Sequence, residues 1–116
     1  MIKIEMTQEQ VDHMVSEAFT AARAAALRYF QDQLGGRDRM CCGFAWTTIA
    51  GVKGNTRLGR MLKKAGVDQD YTRAFQIWNP SGLAVQNVDT LEAGARAAAD
   101  VFRKYGFDAY AGSRLD

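Results

Sequence analysis

The chain holds one histidine, His13, and two neighbouring cysteines, Cys41 and Cys42. Structural zinc takes four Cys or His ligands at loop spacings. Side chains of adjacent strand residues point to opposite faces, so these two thiols cannot readily share a metal. No metal site is expected, and the thiols read as reduced, at least one of them buried. His13 falls one turn into a helical pattern, with no Ser or Cys at a spacing that implies pairing. It reads as a partly exposed helix residue rather than a base. Asp68 and Asp70 flank a turn and read as turn chemistry. Binding is therefore expected, not turnover, and without a cofactor.

The residues best suited to bind an anion are Lys53, Gly54, Asn55, Thr56, Arg57 and Arg60. A glycine-containing loop here leads from a strand pattern into a helix start, where free backbone N–H groups and the helix dipole favour negative charge. Lys53, Arg57 and Arg60 add full charges. The Gly-Lys-Ser/Thr order of a phosphate loop is absent. The plainer alternative is that Asn55 or Thr56 simply caps the helix.

A second group is suited to recognition: Trp46, Gln76, Trp78, Asn79 and Arg114. Most of the aromatics in and beside the central strands are expected in the core, namely Phe44, Trp46, Tyr71 and Phe75. Trp46 with Phe44 on one strand face also has the pattern of a base-stacking platform. Trp78 precedes a turn, between polar Gln76 and Asn79, where an exposed indole serves recognition. Arg114 lies in a tail that reads as loop.

The elements that must position these residues follow from periodicity. Met1–Met6 alternates with period two, as a short strand does. Thr7 and Gln10 form a capping box. The helix that follows is expected from Gln8 to Leu34, about 40 Å long, and closed by Gly35-Gly36. Its seam is Val11, Val15, Ala18, Ala22, Ala26 and Tyr29. Cys41–Ala50 is the strongest strand, with Cys42, Phe44, Trp46 and Thr48 on one face and small residues on the other. A basic helix, Thr56–Ala65, comes next. Tyr71–Trp78 reads as a strand, turned by Asn79-Pro80-Ser81-Gly82 into a hairpin partner at Leu83–Val88. A helix capped by Asp89 or Thr90 runs to Tyr105, and Phe107–Ala111 is a last short strand.

This pattern predicts one α+β domain over residues 1–116. It comprises a small mixed or antiparallel sheet of about four to five strands, with the long helix and two others packed mainly on one face. The long helix outruns such a small core, and its alanines allow close approach, so a homodimer through it is expected. The 116 residues are 47% apolar and 24% charged, which excludes a disordered chain. No apolar run approaches membrane-spanning length, and the start lacks the apolar core of a signal peptide, so a cytoplasmic protein is expected. The net charge of +2 hides a basic middle: residues 37–66 carry +6, and the flanks carry −2 each. Such a block attracts nucleic acid, nucleotides or an acidic protein face.

Cys42-Gly43-Phe44-Ala45-Trp46, Gly54-Asn55 and Ala111-Gly112-Ser113-Arg114-Leu115-Asp116 resemble stretches of small uncharacterised proteins encoded by tailed phages and prophages. The resemblance covers roughly residues 40–116 and implies an accessory role by stoichiometric binding in the host cytoplasm. The expected partner is a host nucleic-acid-handling or anti-phage defence protein, inhibited or modulated through the basic helix and nearby aromatics. The alternative is a nucleotide or nucleic-acid binding module that grips phosphate with the loop at 53–57.

Overall fold

The computed structural model describes residues 4–116. The strand expected over Met1–Met6 begins outside the described residues. Ile4, Glu5 and Met6, inside them, form no strand, and Ile4 and Met6 pack against the core.

Helix α1, Gln8–Asp32, opens on the expected capping box: Gln10 N–H donates to the Thr7 hydroxyl, and the Gln10 side chain accepts from Thr7 N–H. It ends where Gly35, at φ 62°, takes the left-handed conformation that suits a residue without Cβ. The buried stripe is Val11, Met14, Val15, Ala18, Ala22 and Ala26. Tyr29, placed on that seam by periodicity, is only half-buried.

Strand β1 spans Gly43–Ala50, helix α2 Arg57–Lys64, strand β2 Asp68–Gln69, strand β3 Phe75–Trp78, helix α3 Val88–Lys104 and strand β4 Asp108–Leu115. The sheet is antiparallel, in the order β2-β3-β1-β4. The α+β architecture is thus as expected.

Several elements depart from expectation. The hairpin partner at Leu83–Val88 does not form. The turn after β3 closes as its sequence predicts, with Gly82 N–H donating to Asn79 O. The chain then runs irregularly to Asn87, which caps α3 through its bond from Thr90 N–H, in place of Asp89 or Thr90. The edge beside β3 is filled instead by β2. Tyr71 lies outside the strand, on the turn between β2 and β3. The tail is not a loop: β4 continues to Leu115, pairing with β1 along its whole length. Cys41 and Cys42 precede β1, and both are exposed, so neither is the buried thiol expected.

Side-chain alternation sets which face of the sheet is covered. Gly43, Ala45, Thr47 and Ile49 of β1 point to the helices, together with Phe75, Ile77 and Ala109. Small residues there let α3 approach closely, and the Thr47 hydroxyl donates to Ala95 O at 2.8 Å. α1 runs along α3, where a Cβ on Gly94 would stand 3.1 Å from Ala22 O. The alanine seam of α1 is therefore used inside its own chain, leaving Phe19 and Leu27 outward. None of the described helices is long and apolar enough to cross a membrane.

Candidate functional site: the open face of the sheet

The opposite face of the sheet carries no helix. Register places Trp46 beside Trp78 and Gly112, Thr48 beside Gln76 and Tyr110, and Phe44 beside Arg114. In antiparallel strands, directly paired residues share a face. Four of the five recognition candidates (Trp46, Gln76, Trp78 and Arg114) thus meet on one surface.

The aromatic groups there touch. Trp46 and Trp78 have ring centroids 5.1 Å apart, and Phe44 meets Trp78 edge-on at 6.1 Å. The Arg114 guanidinium carbon sits 5.4 Å from the Phe44 ring centre, within cation–π range. Trp78 is 52% exposed, Tyr110 50% and Phe44 39%, so this is a surface rather than the core expected for Phe44. Phe75 alone of the strand aromatics is fully buried among the core residues as expected. Trp46 is half-buried because it lies against Gly112, where a side chain would collide with the indole.

An open hollow of about 920 Å³ starts on this face, where Trp46, Gln76, Trp78, Tyr110 and Arg114 wall it, and runs past the segment from Asp68 to Thr72 to Phe19 of α1. A second hollow of about 710 Å³ takes in Lys53, Gly54, Asn55, Lys63 and Arg73. The two share Gln69, Asp70 and Thr72 as a wall. Aromatic and basic surfaces are therefore neighbours across one short turn. Asp70 brings one fixed negative charge to that wall, against Lys53, Lys63 and Arg73 in the second hollow, and its Oδ1 is occupied. It accepts from the Thr72 hydroxyl, Thr72 N–H and Ala74 N–H. These bonds, the Thr72 hydroxyl first, hold its carboxyl below the ordinary range. At the tip of the same turn Tyr71 is 97% exposed.

The structure divides the basic-loop candidates. Lys53, Gly54 and Asn55 border the second hollow. Thr56 is the cap of α2: its hydroxyl accepts from Gly59 N–H and donates to Lys53 O. Arg60 folds back to donate to Asn55 O at 2.7 Å, and Arg57 is exposed on the helix surface. Thr56 and Arg60 thus hold the loop's shape. Asn79 does likewise in its turn, where its amide donates to Leu83 O and its carbonyl accepts from the Ser81 hydroxyl.

Tyr110, Gly112, Lys63 and Arg73 were not singled out by the sequence. The period-two spacing of Tyr110, Gly112 and Arg114 was the available signal. Lys63 and Arg73 carry none, since their position depends on how the turn folds beside α2.

Nothing matches this chain among protein-family models, curated proteins or solved structures.

Proposed function

We propose that this protein binds single-stranded nucleic acid on the open face of its sheet. Bases stack on Trp78, Trp46 and Tyr110, and the backbone phosphates reach Arg114 at one side and Lys53, Lys63 and Arg73 at the other. The observation that carries this reading is the aromatic cluster on a helix-free sheet face, adjoined by a basic hollow. Single-strand binders combine these two features: sequence-tolerant stacking and a positively charged track. Duplex DNA keeps its bases stacked inward and offers little to such a face. The reading needs no catalytic step.

The test is a tryptophan-fluorescence titration with single-stranded and duplex oligonucleotides over a range of salt. Quenching by single strands, weakened by salt, is expected. No quenching by any oligonucleotide at low salt overturns the reading.

A second reading draws on the same residues. Trp, Tyr and Arg are the side chains that dominate protein interfaces. A phage-type inhibitor of a host nucleic-acid-handling or defence protein would use them as anchors, in keeping with the resemblance of the Cys42–Trp46 and Ala111–Asp116 segments. Protein capture that is insensitive to salt, with no oligonucleotide binding, would favour it.

A further inference from the structure

β4 is an edge strand, and beyond Ala109 its outer side is uncovered. Parity shows which backbone groups face outward. Asp116 N–H donates to Cys42 O, which makes the even residues of β4 the ones bonded to β1. The N–H and C=O groups of Ala109, Ala111, Ser113 and Leu115 therefore point away from the sheet. Ala109 O accepts from Arg103 Nη1 at 2.7 Å. Among the described residues, the main-chain groups of Ala111, Ser113 and Leu115 have no main-chain partner on that side. Natural sheets blunt such edges with Pro, Lys, bulges or a covering element. The segment Asp-Ala-Tyr-Ala-Gly-Ser-Arg-Leu has no Pro and no Lys, and pairs with β1 without interruption.

We propose that β4 pairs antiparallel with β4 of a second copy, about a two-fold axis at Ala111. The outward groups of Ala111 meet those of Ala111 in the second copy, and Ala109 meets Ser113, whose N–H shares the Ala109 carbonyl with Arg103. This register sets Asp108 opposite Arg114 of the second copy, twice by symmetry. It also sets Tyr110 opposite Gly112. Opposite charges directly across strands stabilise a pair, and these are the close, non-hydrogen-bonded positions of the new ladder. Shifting the axis to Gly112 would put Asp108 against Asp116 instead. Charge complementarity thus selects both the occupant and the register. Ala109, Ala111, Gly112 and Ser113 are small enough for the backbones to close.

A two-fold axis normal to the sheet leaves both helix-free faces on the same side. The result is one eight-stranded sheet, twice the four strands of one copy, with a continuous aromatic surface. The seam shares Arg114 with the proposed binding surface, so its test reads mass and not binding. It is a different route to a dimer from the long helix suggested by the sequence.

The test is solution mass by light scattering and sedimentation across a wide concentration range. Twice 12.8 kDa is expected for the unaltered chain. Ala111→Pro removes an outward N–H that β1 does not use, as edge strands tolerate, and is expected to give a folded monomer. Asp108→Arg sets like charges across the seam and is also expected to give monomer. Asp108→Arg combined with Arg114→Asp is expected to restore the dimer. If Ala111→Pro fails to fold, the Asp108→Arg pair of variants decides. An unaltered protein that is monomeric at every concentration overturns the proposal. So does a dimer that persists in Asp108→Arg, or one dissociated by Phe19→Glu on α1 and not by Asp108→Arg.

Discussion

Trp46 lies flat against Gly112 across the β1–β4 pair, where a Cβ on the glycine would stand 2.5 Å from the indole. The glycine is what allows the ring to settle on the sheet and meet Trp78 on its other side. Gly112→Val keeps a residue suited to strands and needs no unusual φ, but it pushes the indole off. Overpacking of this kind costs about 1–3 kcal/mol. The expected outcome is a cooperatively folding protein with altered tryptophan emission. Its oligonucleotide affinity should be as low as that of Trp46→Ala. Unchanged emission and affinity would mean that the Trp46 position does not matter to binding.

Trp78 and Lys53 separate stacking from charge. Trp78 is half-exposed, so its removal leaves little cavity. Trp78→Ala is expected to leave the melting temperature nearly unchanged and to lower single-strand affinity by about 1–3 kcal/mol, the range for one stacked base. Lys53→Ala and Lys63→Ala should weaken all sequences alike. Each should reduce the slope of log affinity against log salt by about 1. Titrations at several salt concentrations check both. A salt slope unaltered in both lysine variants would remove the basic hollow from the site.

The α1–α3 contact is the tightest helix packing in the fold. A Cβ at Gly94 would stand 2.9 Å from Ser81 Cβ as well as 3.1 Å from the Ala22 carbonyl. Backbone on one side cannot give way as a flexible side chain can. Gly94→Leu is expected to destabilise by more than the usual 1–3 kcal/mol of overpacking, roughly 3 kcal/mol or above. Urea unfolding followed by circular dichroism measures it. A loss under about 1 kcal/mol would mean that the helices separate freely.

Much of this architecture was legible in local signals. Thr7 with Gln10 marked the start of α1, and Gly35 its end. The small side of β1, Gly43 to Ile49, suited a helix, a close backbone or a ligand alike, and it is a helix that covers it. Trp46, Gln76, Trp78 and Arg114 were singled out by residue type, and the sheet register puts them on one face. What local sequence did not carry was pairing at a distance. Asn79 to Gly82 makes its turn, yet Asn79 N–H bonds to Ala45 O, so β3 already has β1 on that side. Asp68–Gln69, too short to show a period, takes the other. Ser113 and Arg114 look like loop because an edge strand with a bare face has few apolar positions. Within Lys53–Arg60, Thr56 is the helix cap that the plainer alternative named, and the bond from Arg60 to Asn55 O assigns Arg60 to the loop as well.

Asp38 ties the connector after α1 to the start of α3. Its carboxylate accepts from Gln86 N–H, Asn87 N–H and the Asn87 amide. The Asn87 side-chain bond, followed by those from the main chain, lowers its pKa below the ordinary aspartate value. A depressed folded pKa adds stability above the unfolded pKa and loses it as pH falls through the folded one. Asp38→Asn is therefore expected to be less stable than the unaltered protein near neutrality. The side chain is exposed, and water can replace part of what it gives, so the difference should be no more than about 1 kcal/mol. That difference should shrink as pH drops below about 4, the ordinary aspartate value at which the unfolded chain takes up the proton, and go once the folded carboxylate is protonated as well. Urea midpoints of the two proteins measured from neutral pH downward test this. A gap that stays constant into acid would show that the carboxylate charge is not what holds the connector.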